Sequence, residues 1–170
     1  MPRPKDEREA RDHAHWDAVE DATELLHAEQ FADALVELRD VIRKDPANPY
    51  AYHFLGVALY ETGEIEAARD AYRACLRLAP GHLGARVALS HVLRGLGDRD
   101  AALSEAHAAL EAASDDADAL YAVGLAHLAR GDRAAARRYL TAFLASGPEF
   151  EVQVEVQAIL DSLQDGPRKV

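Results

Sequence analysis

Residues 49–82 read PYAYHFLGVALYETGEIEAARDAYRACLRLAPGH, and the fold follows from this stretch. Tyr52, Leu55, Gly56 and Leu59 recur at helical spacing, so residues 50–60 are expected to form a helix. Asn48 supplies a capping side chain, and Pro49 sits in the first turn, where its missing N–H costs nothing. Gly63 is placed to take the left-handed conformation that ends a helix. The apolar pattern resumes from Ile65 to Leu78 through Ala68, Ala71, Tyr72, Cys75 and Leu76. Pro80-Gly81 then breaks the chain. The unit is two helices joined by a short turn.

This unit recurs every 34 residues. Pro46, Pro80 and Pro148 share one column, with Ser114 in the missing place. Glu29, Gly63, Gly97 and Gly131 form a second, and Ala34, Ala68, Ala102 and Ala136 a third. The fourth column, Ala22, Gly56, Ser90 and Gly124, is uniformly small. Its physical cause is close helix packing, with axes about 8–10 Å apart. Gly56 against Ala68, or Gly124 against Ala136, permits that approach. A bulky residue there would overpack the pair, at roughly 1–3 kcal/mol. Asp115 or Asp116 is placed to cap the corresponding helix of the fourth unit.

The motif Tyr52-x-x-Leu55-Gly56-x-x-Leu59, followed by Ala68-x-x-x-Tyr72 and Pro80, resembles the tetratricopeptide signature. Leu120-x-x-Val123-Gly124-x-x-His127, Ala136-x-x-x-Leu140 and Pro148 resembles it again. The expected organisation is a charged tail at 1–14, repeats at 15–48, 49–82, 83–116 and 117–150, a capping helix at 151–164 and a tail at 165–170. The first repeat departs from the pattern with Asp21 and Glu29, the third with Arg86 and Ser114. Residues 1–14 read as disordered or as a helical extension. In the last helix Val152, Val156, Ile159, Leu160 and Leu163 make an apolar stripe that covers the end of the array. The alternation of Val152, Val154 and Val156 also fits a strand, but the all-α pattern offers it no partner. The resemblance implies an all-α fold, a right-handed superhelical solenoid of four helix-turn-helix repeats whose first helices line a concave groove.

The chain holds 19 Lys+Arg against 30 Asp+Glu, a formal charge of −11. That balance argues against nucleic acid and anionic membrane as partners. With a single cysteine, Cys75, no internal disulfide forms, which suits a reducing compartment. The first residues carry no apolar signal core, and no apolar run approaches the roughly 18 residues of a membrane span, so the expectation is a soluble cytoplasmic protein.

Once the core columns are assigned, the remaining first-helix positions are the candidate groove. They are Trp16, Val19, Thr23, Tyr50, His53, Phe54, Val57, Tyr60, Val87, His91, Arg94, Tyr121, Leu125 and Leu128. Aromatic anchors dominate interface energies, so this set points to a peptide or an amphipathic helix as ligand. Against it stands packing of the same residues on neighbouring repeats, or residues 1–14 occupying the cleft. Chaperone-binding members of the family grip a terminal carboxylate with cationic residues. In the first three repeats those places hold Val19, Thr23, Phe54, Gly84 and Ala88. Framed one repeat later they hold His53, Val57, Ala88, Asp118 and Ala122. Neither set has a fixed positive charge, so a chaperone's acidic C-terminal peptide is not expected. The expected role is a non-catalytic adaptor binding a protein segment. Self-association into a homo-oligomer, or a chaperone-like subunit of a bacterial secretion or regulatory complex, are the alternatives.

No catalytic or cofactor motif is visible: the glycines follow the repeat column, and no nucleophile elbow occurs. His13 and His15 are two apart and do not share a helix face, so no metal site is expected there. Cys75 stands in an apolar column and should be buried and inert. His127 occupies a core column and reads as a hydrogen-bonded core histidine. Arg130, Arg133, Arg137 and Arg138 read as a solvated basic face.

Overall fold

The computed structural model describes residues 4–164. The expected C-terminal tail at 165–170 lies outside the described residues, as do residues 1–3. The described chain is helical throughout: α1 Pro4–Asp17, α2 Glu20–His27, α3 Phe31–Lys44, α4 Pro49–Glu61, α5 Ile65–Leu78, α6 Leu83–Gly95, α7 Arg99–Ala112, α8 Ala117–Arg130, α9 Arg133–Ala145 and α10 Phe150–Gln164. It divides into two compact units, with the boundary between Ala85 and Arg86 inside α6.

Local chemistry sets the helix ends. The Asn48 side chain accepts from Ala51 N–H at 3.2 Å and caps α4. Asp98, Asp116 and Asp132 do the same for α7, α8 and α9. The turn column is left-handed in every repeat, with φ of 84° at Gly63, 83° at Gly97, 83° at Gly131 and 57° at Glu29. The first repeat therefore keeps the turn although a glutamate must adopt it, at a cost of about 1–2 kcal/mol.

In the first unit α2 packs on α3, α3 on α4, and α4 on α5. Ala22, Ala34, Leu38, Leu59, Ala68 and Cys75 are buried in it. The small column is confirmed, with one shift of partner. A methyl group on Gly56 would lie 2.6 Å from Tyr72 Cε1, and one on Gly124 would lie 2.7 Å from Leu140 Cδ2. The closest approach is thus to the residue one turn beyond Ala68 and Ala136. Helical side chains lean toward the N-terminus, so Tyr72 and Leu140 cover the surface at the level of those alanines.

In the second unit α7 packs on α8, α8 on α9 and α9 on α10. The third repeat replaces consensus contacts with polar ones. Ser90 Oγ donates to the Ala102 carbonyl at 2.9 Å, and Arg86 pairs with Glu105 at 2.8 Å. Both tie α6 to α7. Residues 151–164 belong to a helix, so the strand alternative falls. Val156, Leu160 and Leu163 of α10 are buried, while Gln157 Nε2 donates to Asp161 Oδ1 on the outward side at 2.9 Å. A polar outer face is what the last helix of an array requires.

The described part of the expected tail, residues 4–14, is helical and continues to Asp17, into the expected first repeat, as α1. The helical path breaks at Ala18 and Val19 and continues as α2, with Val19 N–H donating to Trp16 O at 3.0 Å. This bend leaves α1 free to run against α4.

Candidate functional site

The aromatic residues expected at the groove converge in the first unit. Tyr50, His53 and Phe54 share one face of α4 because they are three and four residues apart. Trp16 from α1 sets its ring edge against Tyr50 at 5.4 Å and against Phe54 at 6.0 Å between centroids. His53 contacts Phe54 at 5.0 Å, Tyr72 at 5.9 Å and His82 at 4.6 Å. Tyr50 closes the set against His82 at 5.7 Å. The edge-to-face pairs of Trp16 with Tyr50 and Phe54 contribute about 0.5–1.5 kcal/mol each beyond area burial.

Polar contacts hold α1 in place. The fully buried Asn48 donates from Nδ2 to the His15 carbonyl at 2.8 Å. Tyr50 OH donates to Asp12 Oδ1 at 2.9 Å. His15 Nε2 lies 3.0 Å from Asp45 Oδ2. Burial, then Asp12, pushes the Tyr50 phenol up. Burial and the neighbouring His82 push His53 down to about 4, so its ring is neutral at pH 7. His82 is also pushed down by burial, and its Nδ1 accepts from Ala85 N–H at 3.1 Å. The His53 Nδ1 is buried without a hydrogen-bond partner.

Within this cluster Trp16 remains 47% exposed, and Tyr60, at the far end of the same α4 stripe, is 46% exposed. Val57 lies half-buried between Phe54 and Tyr60. Thr23 is half-buried, its hydroxyl donating to Glu20 O at 2.7 Å. Val19 is a correction: it is completely buried at the bend between α1 and α2 and presents no surface.

The second unit behaves differently. Val87 is buried, and so is Leu125, which packs with Leu140, Phe143, Val156 and Leu160. These two are corrected to core. Leu128 and Tyr121 pack partly against the same cluster, and the Tyr121 ring lies 4.8 Å from Phe143. For Leu125, Leu128 and Tyr121 the physical reason is α10, whose Val156 and Leu160 join the same cluster. His91 contacts Tyr121 at 6.0 Å and is pushed down by burial. Arg94 is exposed.

The remaining sequence candidates are structural. Cys75 is fully buried, and burial pushes its thiol up to about 12, which removes it as a nucleophile. His127 shares its Nε2 with His107 Nε2 at 3.3 Å and stacks on Tyr139 at 5.6 Å. Its Nδ1 lies 3.4 Å from Asp132 Oδ2 without hydrogen-bond geometry. Three of the four arginines of the basic face are engaged: Arg130 by Asp100, Arg133 by the Ser162 carbonyl and Arg138 by Tyr139. Among the described residues no group of three or more His, Cys, Asp or Glu is placed to hold a metal. No helix among them is long and apolar enough to cross a membrane.

The sequence profile of the tetratricopeptide repeat matches residues 20–82 and 87–150. The chain belongs to the tetratricopeptide repeat family. This tetratricopeptide-repeat protein shares its fold with several solved structures. One is a thermophilic TPR protein of Thermus thermophilus, with a TM-score of 0.70, 21% identity, and 88% of this chain and 80% of that one covered. PilF of Pseudomonas aeruginosa gives a TM-score of 0.78 at 20% identity over 91% of this chain and 69% of that one. MamA of Desulfovibrio magneticus RS-1 gives 0.69 at 19% identity over 93% and 97%. No curated protein is significantly similar in sequence. The scaffold of this family is that of a protein–protein interaction module.

Proposed function

We propose that this tetratricopeptide-repeat protein is an adaptor that binds a peptide or amphipathic helix on the α4 face of its first unit. The observation that carries the reading is the aromatic set Trp16, Tyr50 and Phe54, which stays partly open to solvent while Tyr60 extends it along the same stripe. A half-covered Trp or Tyr has roughly 100 Å² left to bury, about 2–3 kcal/mol of gross transfer energy each. Two such anchors supply the centre of an interface, and apolar partner residues at helical spacing complete it. Recognition is by shape and apolar contact, because His53 is neutral at pH 7 and, among the described residues, no cation is seated over these rings.

Photo-cross-linking tests this. Benzoylphenylalanine replaces Tyr60 in one variant and Val36, 67% exposed on α3, in another. A polypeptide cross-linked from position 60 and not from position 36 is the expected result. Identical adducts from both, or none from position 60, refute it. A second reading, self-association, is favoured by Phe150, 75% exposed at the start of α10, with Val154 exposed one turn on. Light scattering over a range of concentrations separates the two, since a strict monomer removes the second.

A further inference from the structure

We propose that the cleft between α1 and the two inter-repeat loops of the first unit binds an acidic, apolar peptide segment of a protein partner. The segment places its carboxylates on Arg8 and Arg11 and its apolar side chains on Leu78 and Pro49. This site goes beyond the aromatic face and does not rest on that reading.

The cleft has a volume of about 670 Å³. One wall is α1, through Arg8, Glu9, Arg11, Asp12 and His15. The opposite wall is the backbone around Ala47 and Pro49 and the segment from Leu78 to Gly81. Both loops fall between helix pairs, where prolines end one unit and begin the next. The cleft exists because α1 extends past these loops.

The charges on its wall are not equally engaged. Glu9 pairs with Lys5 at 3.6 Å. Asp12 accepts from Tyr50 OH, and His15 lies against Asp45. Arg8 and Arg11 make no hydrogen bond or ion pair with any described residue. Three residues apart on a helix, they share a face. What sets these two unpaired side chains apart from the chain's other exposed arginines is their place together on the wall of a cleft. A guanidinium fork matches a carboxylate in geometry and charge.

The opposite wall narrows the ligand class. Leu78 is 43% exposed and Pro49 half-buried, surface that a bare anion leaves unused. A nucleic acid carries its phosphates beyond the two guanidiniums into the acidic field of the chain and has no aliphatic side chains for Leu78 and Pro49, whereas a short segment sets two carboxylates on two cations. A short segment alternating acidic and aliphatic residues satisfies both walls. The cations come from α1, outside the repeats, so the lack of a cationic set at the repeat positions does not bear on this site.

The test uses the full chain and a fluorescein-labelled peptide carrying Glu-Leu-Asp-Leu between Gly-Ser flanks, read by fluorescence anisotropy. The parent protein is expected to bind it. Arg8→Ala/Arg11→Ala is expected to weaken binding at least about tenfold, as is the Gln-Leu-Asn-Leu version of the peptide. Leu78→Ser is expected to weaken it severalfold, and Tyr60→Ser to leave it unchanged, which separates this site from the aromatic face. Both arginines are exposed, and matching circular dichroism of parent and variant confirms that the fold is kept. Equal binding by parent and double variant overturns the proposal. So does no binding of the acidic peptide, or its displacement by inorganic phosphate at matched ionic strength.

Discussion

Gly56→Ala reverses the usual consequence of replacing a helical glycine. In an open helix interior alanine is better than glycine by about 0.8–1 kcal/mol. At Gly56 the new methyl carbon falls 2.6 Å from Tyr72 Cε1 and 2.8 Å from Cδ1 and Cζ. Carbon atoms rest at about 3.5–4.0 Å, so ring and helix must separate by about 1 Å. Tyr72 is 3% exposed and packs against His53, so its ring has nowhere to swing. Overpacking costs about 1–3 kcal/mol, and a ring with no room to move places this site at about 2–3 kcal/mol, which leaves a net loss of about 1–2 kcal/mol after the propensity gain. Trp16, the only tryptophan, lies in the same unit, so its fluorescence in urea reads the stability of that unit. With a slope of about 1–2 kcal/mol per molar urea, the midpoint should fall by roughly 1 M. Tyr72→Val removes the clashing ring, and in that background Gly56→Ala should be neutral or stabilising. Gly95, in the second unit, is the control, because a methyl carbon added there meets nothing within 4 Å: Gly95→Ala should not destabilise, read by circular dichroism in urea. A Gly56→Ala protein as stable as the parent, or an effect independent of residue 72, refutes the packing argument.

Other substitutions address other links. Glu29→Gly relieves the one non-glycine residue described at positive φ and should raise stability by about 0.5–1 kcal/mol in the same urea assay. Asn48→Ala removes the α4 cap and the bond to the His15 carbonyl, and should cost about 2–3 kcal/mol and red-shift Trp16 emission as α1 loosens. His53 sets a pH dependence. It titrates near 6.5 when unfolded and near 4 when folded, so the unfolded chain binds the proton more readily. Its contribution is whole above pH 6.5 and is lost as pH falls toward 4. Between pH 7 and pH 5 the parent should lose about 2 kcal/mol more than His53→Phe, measured by urea denaturation at both values. The groups facing that ring are Phe54 on its own helix, Tyr72 on α5 and His82 in the following loop.

The repeat was legible because its signals are backbone constraints. A left-handed turn and a close helix approach each admit few residues, and both recur at one period. The turn is strong enough to impose itself on Glu29. The aromatic cluster was legible only in part. Trp16, Tyr50, His53 and Phe54 were found by eliminating core columns, and they do meet. The same elimination misplaced Val19, Val87 and Leu125. It treats a residue unused between two paired helices as free, and takes no account of the bend that buries Val19 or of the helix that covers Leu125. His82 and Asp12 join the cluster from a loop and from α1. His82 stands in the capping column of Asn48 and Asp116, but a capping position does not announce an aromatic contact, and Asp12 carries no periodic signal because α1 stands outside the repeat.

The central claim is that a partner polypeptide seats on the exposed aromatic stripe of α4. The most direct measurement is the affinity of the cross-linked partner segment, once isolated, for parent, Tyr60→Ser and Val36→Ser proteins by isothermal titration. Tyr60→Ser should weaken binding by at least about tenfold, with the melting temperature unchanged, while Val36→Ser binds as the parent does. Equal affinity across the three proteins would contradict the account.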